Sequence, residues 1–358
     1  MGLNLTELFS KTYKGKKVFL TGHTGFKGSW LLAWLNILGA SVKGYSLAPQ
    51  DDLDLFNAIG GDQLCKNIIA DIRDKDRLKK EIFDFQPDFV FHLAAQPLVR
   101  YSYSIPVETF EVNAIGTGNV LDAVRSLNNP CNVIIITTDK VYENKEWHYP
   151  YRENDRLGGY DPYSASKACA EILVSSFRNS FFNINDYDIH KKKIATARAG
   201  NVIGGGDWSI DRIIPDIARA LKNKKPIEVR SPNAVRPWQH VLEPLSGYLL
   251  LGAKLNSSKS FDSFNFGPNS SESLTVIEVV KKAIETWGSG TYEDVSNIDK
   301  PHEANLLTLD ISKTINLLQW QPKLSSKEAI EWTIDWYKKS KEDVAAFTYQ
   351  QINMYQNL

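Results

Sequence analysis

Cysteine is scarce in this 358-residue chain: Cys65, Cys131 and Cys169 are an odd number and show no CxxC spacing. They offer neither a disulfide framework nor a zinc site, and read as small hydrophobes of a reducing compartment. A charge excess is missing too, since 42 Lys and Arg face 42 Asp and Glu. Nucleic acid and anionic membrane surfaces, which call for a basic surplus, are thereby disfavoured as partners. No apolar run reaches the roughly 18 residues of a spanning helix. The opening Met1-Gly2-Leu3-Asn4-Leu5-Thr6 lacks the basic-then-apolar pattern of a secretion signal, so the cytoplasm is the expected location. With 22 Gly and 15 Pro, the chain is too poor in both for long low-complexity tracts. What remains is an enzyme-sized chain of about two structural units, at roughly 150 residues per unit.

Short β-rich runs alternate with helical patterns through the first two-thirds. Strands are expected at 17–21, 41–47, 67–71, 88–95, 133–138 and 193–199. Helices are expected at 29–38, 75–85, 106–127 and 162–177. Residues 133–138 (VIIITT) are almost continuously apolar and β-branched, as befits a strand buried on both faces. This alternation predicts an α/β fold: a Rossmann-type doubly wound parallel sheet with a smaller C-terminal α/β substrate domain. After residue 203 the run Gly204-Gly205-Gly206-Asp207 breaks the pattern. Helices follow at 213–221, 244–255, 276–287 and 328–337, with strands at 227–230 and 263–266. The expected division is 1–203 plus about 236–266 for a dinucleotide domain, and about 204–235 plus 267–358 for a substrate domain.

Gly22-His23-Thr24-Gly25-Phe26-Lys27-Gly28 lies between the first strand and the first helix. Its spacing is GxxGxxG, and glycines there permit a tight turn and let backbone approach a pyrophosphate at a helix N-terminus. The acid expected about 20 residues on, at the second strand's tip, is replaced by Ser46 and Leu47. No arginine follows to select a 2′-phosphate, so these residues alone leave NAD and NADP both open. Asp71 and Ile72, at the third strand's end, offer a carboxylate and an apolar contact for an adenine ring.

Tyr-x-x-x-Lys occurs four times, at Tyr13/Lys17, Tyr163/Lys167, Tyr187/Lys191 and Tyr337/Lys341. Only Tyr163/Lys167 follows closely on a buried parallel strand whose carboxyl end faces a cofactor crevice. Four residues apart on a helix, the two share a face, and the ammonium is expected to lower the tyrosine pKa toward that of a usable base. Thr137-Thr138-Asp139-Lys140 closes the preceding strand and brings a hydroxyl and an acid–base pair to the same place. His92 and His240 read as satisfied polar residues, and no metal-ligand cluster accompanies either.

The glycine turn, His92-Leu93-Ala94-Ala95, Asn113, Thr138 and Tyr163/Lys167 together resemble the extended short-chain dehydrogenase/reductase family. The likeness spans nearly the whole chain, into residues 198–204 (RAGNVIG) and 236–241 (RPWQHV). Within the family, TGHTGFKGSW, HLAAQPLVRYSY and TTDKVYEN resemble a branch that dehydrates nucleotide sugars. The resemblance implies NAD held by Gly22, Thr24, Gly25, Phe26, Lys27, Gly28, Asp71, Ile72, Leu93, Ala94, Ala95, Gln96 and Thr137, with Tyr163 and Lys167. It implies a nucleotide-sugar substrate, CDP-glucose, contacted by Asn201, Arg236 and His302. Tyr163, helped by Thr138 and Lys167, would take the C4 hydroxyl proton. Asp139 would protonate the departing C6 hydroxyl, and the product would feed 3,6-dideoxyhexose synthesis. Dehydratases of dTDP-sugars carry Glu as C5 base where Lys140 stands; lysine serves there only if its pKa is depressed, which neighbouring Asp139 opposes. The rival implication is an NAD-retaining nucleotide-sugar 4-epimerase, or a dehydratase of another NDP-hexose. A homo-oligomer, dimer or tetramer, is expected through the helices at 106–127 and 162–177.

Overall fold

A computed structural model describes residues 5–51, 53–257, 262–269, 272–296, 306–339 and 343–358. Seven parallel strands form the central sheet: β1 (Lys17–Thr21), β2 (Ser41–Ser46), β3 (Lys66–Ile69), β4 (Phe89–His92), β5 (Cys131–Ile136), β6 (Lys192–Ala199) and β7 (Ser263–Phe266). Their spatial order is β7-β6-β5-β4-β1-β2-β3. The winding reverses between β1 and β4, where Thr21 lies opposite His92, and a crevice opens at the carboxyl ends there. All six residues of β5 are buried, which explains its unbroken apolar sequence.

Helices α1 (Leu5–Tyr13), α2 (Phe26–Ile37) and α3 (Lys75–Phe85) precede α4 (Pro162–Ser180). Pro162 occupies the first turn of α4, and the Asp161 side chain accepts from Ser164 N at its start. After β6 come α5 (Ile213–Lys222), α6 (Leu242–Leu255), α7 (Val276–Trp287), α8 (Ser326–Lys339) and α9 (Val344–Gln356). Thirteen of the 14 residues of α6 are buried, so this helix is core on every face rather than amphipathic. Each fully buried Leu or Ile there contributes about 1.5–3 kcal/mol. Outside the central sheet lie three short strand pairs: 202–203 with 239–240, 235–236 with 274–275, and 227–229 with 292–294.

Two expected elements come out differently. The strand at 88–95 stops at His92, because Leu93 N and Ala94 N both donate to Thr21 Oγ (3.1 Å each), turning the chain from the sheet. The helix at 106–127 is interrupted by a π turn over Glu111–Ile115. That turn presents Asn113, whose side chain accepts from Gln96 N (2.9 Å) and donates to Gln96 O (3.1 Å) and Ser166 Oγ (2.9 Å). One amide therefore ties the loop after β4 to α4, consistent with the concentration of π bulges at functional sites.

Candidate active site

Each glycine of the turn after β1 answers a different constraint. Gly22 has φ of +72°, and a Cβ on it would lie 2.7 Å from Ala94 N. A Cβ on Gly28 would sit 2.0 Å from Gly22 O, so α2 can pack against its own entry loop only without a side chain. Gly25, by contrast, is exposed, and its Cβ would meet only Gly22 O at 3.5 Å. It caps α2 without a side-chain hydrogen bond, which leaves the first N–H groups of the helix without a capping side chain, as an anion cradle requires. Thr24 donates to Leu47 O (2.9 Å) and bonds Ser46 Oγ (2.9 Å), pinning the turn to the tip of β2. Phe26 packs on the main core, and Lys27 lines the large cleft beside it. Burial, then the charge of Arg212, brings the Lys27 ammonium down to about 8.

The rest of the crevice is built by the ends of β3 and β4. Arg73 grips the Asp71 carboxylate through Nε (3.0 Å) and Nη2 (2.6 Å), holding it below the usual carboxylate range. Ile72 is buried, with its carbonyl accepting from Asn119 Nδ2 at 3.1 Å. Leu93, Ala94, Ala95 and Gln96 remain half-buried along the path from β4. His92 bonds Thr21 Oγ (2.7 Å) and Thr117 Oγ (3.1 Å), and burial drives its pKa to about 3. It is a neutral scaffold residue. An exposed glycine cradle, a pinned turn and two half-buried strand ends fit a dinucleotide.

On the other side of the switch point, β5 and α4 bring the acid–base groups together. Thr138, Asp139, Lys140 and Tyr163 all line one cleft of about 1330 Å³. Thr138 Oγ donates to Asp139 Oδ1 at 2.9 Å, and the same hydroxyl oxygen caps Lys140 N at 3.4 Å. Asp139 is buried, whereas Lys140 is half-buried on the cleft wall. Lys167 Nζ donates to Ile136 O (3.1 Å), at the end of β5. Thr137 donates to Glu171 Oε1 at 2.6 Å.

The expected depression of the Tyr163 pKa by Lys167 does not occur in this arrangement. Burial of the phenol dominates and pushes it up to about 12, while a Thr138 hydrogen bond and the Arg212 charge pull it down. The Lys167 ammonium lies at the end of β5, donating to the Ile136 carbonyl.

Asn201 and Arg236 line the same cleft as Tyr163, while His302 falls outside the described residues. Arg236 also donates to Val235 O at 3.0 Å. The chain motifs did not reveal Arg212. Its guanidinium pairs with buried Asp207 at 2.9 Å and faces Tyr163 from across the cleft. The signal was the triple glycine before Asp207: a Cβ on Gly204 would strike Val241, one on Gly205 Trp336, and one on Gly206 Leu55. That turn is a packed corner carrying Asp207 and Arg212 back to the site, not merely the end of a pattern.

Gly200 also bears on the site, because a Cβ there would fall 1.8 Å from Asp139 Oδ2. Gly200→Ala must therefore displace the carboxylate. Turnover should fall roughly 10²-fold, as misplacements of about 1 Å commonly cause. Thermal unfolding and single-turnover assays check this, with the fold expected to persist.

Sheet order, cradle and paired Tyr163 and Lys167 define a Rossmann-type dinucleotide protein with a substrate cleft at its switch point. More narrowly, the chain belongs to the GDP-mannose 4,6 dehydratase family, whose model matches residues 19–333. It is 46% identical over 347 residues to the CDP-glucose 4,6-dehydratase of Salmonella typhimurium, covering 96% of this chain and 97% of that one. It is 27% identical over 353 residues to the CDP-paratose 2-epimerase of Salmonella typhi, covering 89% and 98%. Among solved structures, it resembles the Thermus thermophilus UDP-glucose 4-epimerase in complex with NAD. That match has a TM-score of 0.76 and 26% identity, covering 90% of this chain and 99% of that one.

Among the described residues, no helix is long and apolar enough to cross a membrane. Nor do any three His, Cys, Asp or Glu among them form a group suited to a metal ion.

Proposed function

We propose that the protein converts CDP-glucose to CDP-4-keto-6-deoxyglucose, with NAD retained and regenerated in each turnover. The observation that carries this reading is buried Asp139, hydrogen-bonded to Thr138 and opening on the same cleft as Tyr163. Removal of a proton at C4 needs only Thr138, Tyr163 and Lys167; a carboxyl group beside them adds the acid that elimination requires. The 46% identity to a CDP-glucose 4,6-dehydratase over nearly all of both chains supports the same choice.

When bound, NAD would supply the hydride acceptor for C4 and the hydride donor for C6. The crevice residues from Gly22 to Gly28, the ends of β3 and β4, and Thr137 hold that cofactor. Tyr163 Oη accepts the C4 hydroxyl proton, relayed past the Thr138 hydroxyl. The resulting 4-keto group acidifies the C5 proton, for which Lys140, lining the same cleft, is the proposed base. Asp139 delivers a proton to the departing C6 oxygen, so water leaves across C5 and C6. Arg236 and Asn201 hold the nucleotide end, the guanidinium suiting a pyrophosphate. The dinucleotide half then comprises 1–203 with about 236–266, and the substrate half the remainder. Incubation with CDP-glucose tests the reading: a product lighter by one water supports it, and unchanged mass supports 4-epimerisation instead.

A homo-oligomer is part of the same proposal. Val107, Ile115 and Ile172 are 71, 56 and 58% exposed on the 106–125 segment and α4, an apolar strip suited to a second copy of this helix pair. Light scattering at micromolar concentration should give at least twice the 40.4 kDa chain mass, and a monomer would remove this part. Three free cysteines suit a reducing cytoplasm.

A further inference from the structure

We propose that Glu171 is a positioning residue that keeps Lys167 charged and seated at the end of β5. Tyr163, Lys167 and Glu171 fall at four-residue intervals on α4 and therefore share one face. The Glu171 carboxylate is 5% exposed and accepts four hydrogen bonds. Thr137 Oγ (2.6 Å) and Arg198 Nε (2.9 Å) donate to Oε1. Thr196 Oγ (2.8 Å) and Arg198 Nη2 (3.0 Å) donate to Oε2. Ile136, whose carbonyl receives the Lys167 ammonium, immediately precedes Thr137. Anion and cation are thus anchored at consecutive residues of one strand end. Arg198 cannot swing away, because Nη1 donates to Tyr142 Oη (2.8 Å) and Glu153 O (3.0 Å).

The surroundings leave Lys167 dependent on that carboxylate. Burial drives its ammonium down to about 8, and Glu171 is the opposing charge. From α2, Lys27 adds a repelling cation. From β4, His92 is neutral. Burial pushes the phenol of Tyr163, on the same helix, up to about 12. On the turn after β5, Asp139 acts on Lys27 while Lys140 faces the cleft. On the 106–125 segment, Glu108 and Glu111 pair with Arg73, and Asp122 pairs with Arg125. An ammonium lost to deprotonation could no longer favour the tyrosinate, so Glu171 would act on catalysis through Lys167.

This inference rests on the proposed role of Lys167, and its test separates the two. Protein labelled with [ε-¹³C]lysine gives a Lys167 resonance, assigned by its loss in Lys167→Arg and titrated without cofactor. Glu171→Gln should move the midpoint down by about one pH unit or more, and Glu171→Asp should recover most of that shift. Glu171→Gln leaves Arg198 as an unpaired buried cation, which is costly, so Glu171→Met/Arg198→Met is made beside it. That paired variant also loses the anion and should lower the midpoint. In the NAD-loaded enzyme, the alkaline limb of cofactor reduction by CDP-glucose should move in parallel. A Lys167 midpoint unchanged across these variants, or rates falling equally at every pH, would overturn the inference. If wild-type enzyme yields no reduced cofactor, the functional reading fails while the titration still decides the role of Glu171.

Discussion

Tyr163→Phe should abolish detectable cofactor reduction when CDP-glucose is added to the NAD-loaded enzyme. The substitution keeps the ring that fills this buried position and deletes only the phenolic oxygen, so the fold should hold. Without that oxygen, the proposed acceptor of the C4 proton is gone. The Thr138 hydroxyl also bonds Asp139, and the Lys167 ammonium donates to the carbonyl of Ile136. Removing a general base typically costs about 10²–10⁴-fold. Stopped-flow absorbance at the reduced-cofactor band checks this, with Tyr187→Phe as control because its Tyr-x-x-x-Lys lies far from the crevice, on the short helix Tyr187–His190. Equal reduction by Tyr163→Phe and wild type would show that another group is the base.

The second large effect separates elimination from oxidation. Asp139→Asn preserves size and the hydrogen bond from Thr138 but removes the acidic proton. C4 oxidation should survive, since Thr138, Tyr163 and Lys167 are untouched. Elimination should slow by about 10²–10⁴-fold. Enzyme-bound reduced cofactor should accumulate with a 4-keto hexose that retains its C6 oxygen, visible by rapid quench and mass spectrometry. Lys140→Met probes the adjoining step: loss of solvent-deuterium exchange at C5 marks Lys140 as the base. Persisting exchange with slower turnover would make it an electrostatic support for the enolate. If neither substitution slows elimination relative to oxidation, the Asp139–Lys140 assignment is wrong.

Periodicity and punctuation suffice for much of the sheet because its central strands, such as β5, are buried on both faces and β1 ends in a glycine turn. β1, for instance, occupies the expected 17–21, and α3 the expected 75–85. The shortfalls have local causes. No sequence period reports that the Thr21 hydroxyl captures two N–H groups after His92, or that a π turn swings Asn113 under Gln96. Helices α1 and α9 were not anticipated; each docks a few large side chains, such as Phe9, Tyr13 and Tyr355, onto the finished core. At the site, the Thr138, Tyr163 and Lys167 trio was legible because two of its members are four apart on one helix and the third ends the preceding strand. Arg212 was not, since its place depends on a corner packed against Leu55, Val241 and Trp336, distant in sequence. Nor was the direction of the Tyr163 shift, because pairing is visible in a motif and desolvation is not.

The central claim is that a hydride leaves C4 and returns to C6 of the same sugar without escaping the site. CDP-glucose carrying deuterium at C4 tests it most directly. The account predicts a product lighter by water with the deuterium at C6, and no deuterium in cofactor released from the enzyme. Deuterium in the free cofactor or its loss to solvent would contradict the account, as would its retention at C4 in a product of unchanged mass.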